Sequence, residues 1–468
     1  MAGLIERVAE VAVSVRDGGL GADLRADAVR RILDVVGNCL GAAGEPVAEA
    51  ARAVAREWGT GGPATVIADD RPLPAAGAAF VNGVLAHALD FDDTHLPSVL
   101  HPSASVVPAA LAAAEQYGAT GPALLDAVVM GLEVCVRLGM AGYDEKLGNS
   151  VFFERGQHAT SICGAVGASV AVAMLAGLDA PGIASAAGIA ASMGAGLLEA
   201  NRTGGTVKRI HCGWASHSAV SAAALARHGV TGPPTVLEGR FGFFQAWCGD
   251  QADPEYVTRE LGERWETPGV FFKPYPCNHF TQAGIDAALE LRGRGLDPAE
   301  VVEAELRAPA PVLRTIAEPR EVKIAPPTGY NAAFSGPYTV AAALLGGGGL
   351  GVGFADFTDE AAHDPRRREL AAKVRCVADD ALGRIYPYQF PAQLWVRTRD
   401  GREWQCRVEQ NRGGPDRPLS DAEHAVKFEM TAGRTVAAET IPRLREAVTA
   451  LATNGTVADL TRLLRVRS

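Results

Sequence analysis

Apolar positions along the first half of the chain recur at helical spacing. Val29, Ile32, Leu33, Val36, Cys39 and Leu40 share one face after Asp27, which the pattern reads as an N-cap. Apolar runs over 108–116, 124–138, 163–178 and 183–200 follow. Several of these are apolar on every side, as helices of a buried core are. After residue 268 the period changes. Val302, Ala304 and Leu306 alternate with Glu303, Glu305 and Arg307, the period of a half-buried strand. Residues 373–377 alternate likewise, and 393–399 with 403–409 flank Asp400-Gly401, a hairpin turn pair. Helical stretches at 280–291 and 332–345 lie between these strands. Ser420-Asp421-Ala422-Glu423 has capping-box spacing, and helical patterns return at 442–452 and 457–464.

The pattern predicts a mainly α protein. A large helical domain is built from both chain ends, 1–267 with 403–468, and a smaller α+β lid domain at 268–402 is inserted between them. Gly346–Gly349, with Gly351 and Gly353, reads as a turn after a helix, because no strand precedes it and no GK[ST] follows.

Composition narrows the function. The 468 residues are 48% hydrophobic and 6% aromatic, with 53 glycines, so helices are expected to pack through small side chains. A net charge of −10 argues against a nucleic-acid partner. No basic, apolar leader and no long uncharged apolar run is read, so neither a signal peptide nor a membrane span is expected. Eight scattered cysteines without a CxxC pair fit reduced thiols in the cytoplasm.

The densest chemistry is Asp90-Phe91-Asp92-Asp93-Thr94-His95, followed by His101-Pro102-Ser103. Acid and base groups stand at the mouth of an apolar body, where burial drives neighbouring pKa values apart. The same run would also serve as a helix cap or a metal site. A second cluster, Arg155-Gly156-Gln157-His158, precedes a helix start. In a third, Lys208, Arg209 and His211 stand between glycines, a setting for binding carboxylates. Lys273, in Phe271-Phe272-Lys273-Pro274-Tyr275-Pro276, and Tyr338 add a cation and a phenol. With no GxSxG and no HExxH, the residues point to proton transfer at an anionic carbon acid.

Taken in order, the chain resembles the MmgE/PrpD family. The matching pieces are Ala86-His87-Ala88-Leu89-Asp90-Phe91-Asp92-Asp93-Thr94, His101-Pro102-Ser103, Gly156-Gln157-His158-Ala159-Thr160, Lys208-Arg209-Ile210-His211-Cys212-Gly213-Trp214-Ala215, Lys273-Pro274-Tyr275-Pro276, Phe334-Ser335-Gly336-Pro337-Tyr338 and Pro418-Leu419-Ser420-Asp421. The family's activities include 2-methylcitrate dehydration, cis-aconitate decarboxylation and iminodisuccinate epimerisation. The resemblance implies a helical domain with an inserted lid, a homodimer, and no metal or organic cofactor. It places cleft residues at Asp90, Thr94, His101, His158, Lys208, Lys273 and Tyr338.

The expected function is a cofactor-independent carbon–oxygen lyase, a dehydratase of a small hydroxy di- or tricarboxylate. Lys208, Arg209, His211 and Lys273 would bind substrate. His101 or His158 would move the proton, Asp90 would orient an imidazole, and the second His, Thr94 or Tyr338 would assist loss of hydroxide. Decarboxylation or epimerisation at the same site is the near alternative. A metal hydrolase built on Asp92, Asp93, His95 and His101, and a non-catalytic carboxylate binder, are the distant ones.

Overall fold

The computed structural model describes residues 2–200 and 205–465. The chain divides into two compact units, Met1–Val270 with Thr431–Ser468, and Phe271–Met430. The mainly α character is present. The division differs from the expected boundaries at 267/268 and 402/403. The strand Glu403–Val408 pairs antiparallel with Ala392–Thr398, from Ala392 opposite Val408 to Arg397 opposite Glu403. A boundary at 402 would split that ladder, so the second unit runs on past it.

The first unit is helical: α1 Leu4–Gly18, α2 Ala22–Gly41, α3 Pro46–Trp58, α4 Ala75–His87, α5 Ser103–Tyr117, α6 Gly121–Ala141, α7 Ala159–Leu175, α8 Ala180–Ala191 and α9 His211–Arg227. Three starts or ends depart from the periodicity. α2 begins after Gly21, and Asp27 lies inside it, paired with Arg31 one turn on. α5 begins at Ser103, so Pro108 sits within the helix. α8 stops at Ala191, short of residue 200, and the chain then passes through Gly194 and Gly196.

Small residues let these helices touch backbone to backbone. A Cβ on Gly83 of α4 would meet Gly213 Cα of α9 at 2.7 Å, and one on Gly131 of α6 would meet Gly167 O of α7 at 3.0 Å. Each glycine therefore marks a crossing that alanine would push apart. The α4–α9 crossing has a functional result: His87, one turn past Gly83, comes beside the start of α9.

The second unit carries a four-stranded sheet of β1 Val301–Ala308, β2 Val374–Ala378, β3 Ala392–Thr398 and β4 Glu403–Val408, in the order β2-β1-β3-β4. β1 and β2 are parallel, and the other pairs are antiparallel. The helices α10 Gln282–Gly293 and α11 Gly336–Leu345 pack together. Ser420 and Glu423 form the expected capping box at the start of α12 Asp421–Ala432: the Ser420 N–H donates to Glu423 Oε2 at 2.7 Å, and the Glu423 N–H donates to Ser420 Oγ at 3.3 Å. α13 Thr440–Ala450 and α14 Val457–Leu464 return to the first unit. Among the described residues no helix is long and apolar enough to cross a membrane.

One buried ion pair closes the first unit. Arg137 and Glu133, a turn apart on α6, are both 0% exposed and bond at 2.6 Å. Arg137 also donates to the carbonyls of Tyr256, Arg259 and Arg264, and Glu133 accepts from the N–H groups of Glu266 and Thr267. The pair thus fastens an irregular segment that has little regular structure of its own. Removing one member leaves the other charge buried and unpaired. Arg137→Met is expected to cost about 3–5 kcal/mol in urea unfolding; a loss below about 1 kcal/mol, the range of an exposed pair, would contradict this assignment.

Candidate active site

The Asp90–His101 loop is shaped by three carboxylates with three different partners. α4 ends at His87, and Asp90 takes a left-handed conformation with φ 51°. Its N–H donates to His87 O at 3.1 Å, closing the turn. Non-glycine residues in this region concentrate at functional sites. Asp90 Oδ1 accepts from Lys208 Nζ at 2.9 Å, with both side chains buried. Asp92 Oδ2 lies 2.7 Å from His87 Nδ1. Asp93 faces the scaffold: Oδ2 accepts from Arg31 Nη1 at 3.0 Å and from Ser103 Oγ at 2.5 Å, and Oδ1 accepts from the Ser103 N–H at 3.2 Å. It therefore caps α5, as the helix-cap reading of this run expects, while Asp90 and Asp92 pair with Lys208 and His87.

His101 stands just before α5. Its N–H donates to Thr160 Oγ1 at 3.1 Å, and its Nδ1 lies 2.6 Å from Asp93 O and 3.2 Å from Thr94 Oγ1. A carbonyl only accepts, so Nδ1 carries the hydrogen and Nε2 holds the lone pair. His158 caps α7, and its N–H donates to Gly196 O at 3.0 Å. Gly196 has φ 152°, and a Cβ there would stand 3.0 Å from His158 Cβ, so glycine suits this place. His158 Nδ1 is 2.9 Å from Nδ1 of His211, the first residue of α9.

These side chains form a row. Ring centroids are 5.3 Å apart for His101–His87, 5.5 Å for His87–His158 and 5.0 Å for His158–His211. The Lys208–Asp90 pair belongs to the same unit and lies close enough to act on the row electrostatically. Burial pushes the His211 imidazole down to about 4, with His87 and Lys208 adding to the effect. Burial also holds His158 well below its usual range, with His87, Lys208, His211 and His101 adding. Both rings are neutral near neutral pH, the form that accepts a proton or donates one N–H. The carboxyl of Asp93 is pushed up to about 6 by burial, against the pull of Arg31 and Ser103.

The structure thus brings Asp90, Thr94, His101, His158, Lys208 and His211 together within one unit. Arg209 follows Lys208 in the 3₁₀ turn Val207–Ile210, and its Nη1 lies 3.8 Å from Glu45 Oε2. Lys273 and Tyr338 belong to the second unit, both buried. The Tyr338 hydroxyl donates to Asp356 O at 2.7 Å, bracing the chain after the Gly346–Gly353 turn. Sequence reasoning did not single out His87 as a site residue. The signal was its place four residues after Gly83 and five before Asp92, a relation visible only once α4 and its turn are built.

The four residues of the metal-hydrolase alternative go separate ways. Asp93 is held by Arg31 and Ser103, and the His95 Nδ1 is 2.7 Å from Ser98 Oγ. Among the described residues the group whose ligand atoms converge is His87, Asp92 and Cys212, within 4.8 Å of one another. A metal needs the Cys212 thiolate, and burial holds that thiol well above its usual range, so the donor set fits a metal poorly. Two clefts have other linings. One of ≈ 730 Å³ in the first unit is lined by Glu115, Thr456 and Arg465, and one of ≈ 460 Å³ in the second by Tyr275, Asp286 and Arg412. Neither includes a histidine of the row.

The N-terminal domain model of the MmgE/PrpD family matches residues 6–255, and its C-terminal domain model matches residues 275–453. A cis-aconitate decarboxylase-like protein of Aspergillus oryzae is 27% identical over 94% of each chain. The cis-aconitate decarboxylase of Homo sapiens is 29% identical over 85% of this chain and 80% of its own. The 2-methylcitrate dehydratase of Cupriavidus necator is 28% identical over 66% of this chain and 64% of its own.

Burial of the imidazoles makes stability depend on pH. His95 is pushed down to about 4 from 6.5, chiefly by burial. As pH falls from 6.5 towards 4, the unfolded chain takes a proton that folded His95 refuses, so stability falls. His211 and His158 act in the same sense. Asp93, raised, acts in the opposite sense between about 6 and 3.8 and offsets one of them. Unfolding free energy is expected to drop from pH 7 to pH 5, and His95→Asn should flatten that slope by up to about one proton. Equal slopes in urea titrations of the two proteins would contradict the burial argument.

Proposed function

This chain belongs to the MmgE/PrpD family, and we propose that it is a lyase that removes water from a small hydroxy di- or tricarboxylate without a metal or organic cofactor. The observation that carries the reading is the row of imidazoles, His101 half-buried and His87, His158 and His211 buried, with His158 and His211 neutral, in one unit with the Lys208–Asp90 pair. Dehydration beside a carboxylate needs a base for the carbon-bound proton, an acid for the departing hydroxide, and a cation to hold the charged intermediate. Lys208 supplies the cation. His101 takes the proton at Nε2, since Nδ1–H is spent on the Asp93 carbonyl. His158, paired to His211, returns a proton to the leaving oxygen, with Thr94 beside His101 orienting that ring. In the step, C–H and C–O bonds break, a C=C bond forms and water departs.

Arg209 and Lys273 enter this reading as further carboxylate ligands, Lys273 on the strength of its motif. Tyr338 is left as a brace, because its hydroxyl already has the Asp356 carbonyl. A cytoplasmic homodimer is the assembly that the family resemblance and the eight free thiols favour. Decarboxylation is the second reading. It is favoured by relatives named as decarboxylases that match 94% and 85% of the chain, against 66% for the dehydratase. It uses the same stabilised carbanion and differs in what leaves.

Proton NMR of the purified protein with citrate, 2-methylcitrate, malate and cis-aconitate separates the two. New vinyl signals without carbon dioxide are expected; release of carbon dioxide would favour the second reading. His101→Ala should lower kcat by about a hundredfold or more. Turnover of none of these acids, or near-normal turnover by His101→Ala, would count against the proposal.

A further inference from the structure

The proposed lyase assigns no role to His87, although this ring occupies the middle of the histidine row. Three observations set it apart. Its side chain is 1% exposed and that of Asp92 is 0% exposed, so the 2.7 Å contact between them is shielded from water. Its other nitrogen, Nε2, is buried and has no hydrogen-bond partner among the described residues. Its neighbours on either side are His101 and His158, the two rings that the proposed reaction uses. A buried polar atom left without a partner is costly, about 1–3 kcal/mol, and such atoms persist where a ligand or a reaction needs them.

From this geometry we infer that His87 is a further proton-transfer residue of the site, held in one tautomer by Asp92. An ionised carboxylate only accepts, so His87 Nδ1 carries the hydrogen and Nε2 presents its lone pair to the row. Each ring of the row has a different backing. His101 leans on a neutral carbonyl, His158 on a second imidazole, and His87 on a carboxylate. When Nε2 takes a proton, the Asp92 charge compensates it, as a carboxylate behind a catalytic imidazole does. Nε2 makes no direct hydrogen bond to either ring, so the hand-off runs through a water or reacting group between them. His87 takes up the proton that His101 has removed from carbon and supplies one to His158, which has given its own to the leaving oxygen. One proton thus crosses the row, and the row returns to its starting charge. The inference rests on the dehydratase reading for its substrate, while the tautomer of His87 is a property of the free protein.

Two measurements test it. In ¹⁵N-histidine NMR of the full chain without ligand, the His87 signals, assigned by their loss in His87→Gln, should show a protonated Nδ1 and a bare Nε2. Asp92→Asn presents an amide N–H to Nδ1, so the pattern should reverse, and this variant assigns the ring independently if His87→Gln does not fold. With an acid the wild type turns over, both variants should lower kcat by about a hundredfold with KM changed no more than a few-fold. A protonated Nε2 in the wild type, one equivalent of tightly bound zinc in the purified protein, or near-normal kcat in a folded His87→Gln would each overturn the inference. If the wild type turns over none of the acids, the dehydratase reading fails by itself, and the NMR pattern still decides the tautomer.

Discussion

The candidate site depends on Arg31. This guanidinium is 1% exposed and donates to Asp27 on its own helix, to Asp93, and to the carbonyls of Thr267 and Val270. Through Asp93 it holds the start of α5, and so fixes where Thr94 and His101 stand. Two charges taken out of water gain little stability over a well-packed apolar pair, but they are costly to separate. Here the pair determines geometry: an Asp93 carboxylate facing α2 and Ser103 leaves Asp90 and Asp92 to face the other way. The raised pKa of Asp93 is the electrostatic cost of that burial.

The second constraint is close helix packing. Glycine contacts between α4 and α9 and between α6 and α7 exclude water from the body that holds the histidines. Exclusion of water has two effects on the site. It keeps His158 and His211 neutral, because an imidazolium there would lose its hydration. It also strengthens the pull of Lys208 on any negative charge, since fields are weakly screened in a dry interior. Alanine and glycine richness, plain in the composition, is therefore connected to the chemistry through packing.

Much of this was legible in the chain. Helical periodicity located α2 and α5 to α8 but not α1, α3 or α4, alternation located the four strands, and Ser420 with Glu423 marked a capping box that is present. Errors arose where a local signal competed with tertiary context. Asp27 has the chemistry of a cap, yet Gly21 starts the helix and Asp27 pairs with Arg31. Pro108 looks like a helix start, yet Asp93 caps the helix five residues earlier. Within the site, Asp90, Thr94, His101, His158, Lys208 and His211 stood out by residue type and motif. The roles of the three adjacent carboxylates did not, because Asp92 and Asp93 differ only in which partner folding brings to each. His87 was hidden for the same reason.

If the imidazole row removes a proton from the carbon beside a carboxylate, that hydrogen must leave the substrate in every turnover. Turnover of the acid deuterated at that carbon, followed by NMR of the product, tests this directly. The product should have lost one deuterium from that carbon, and His101→Ala should abolish the loss together with activity. A product that keeps all of the label would contradict proton removal by the row.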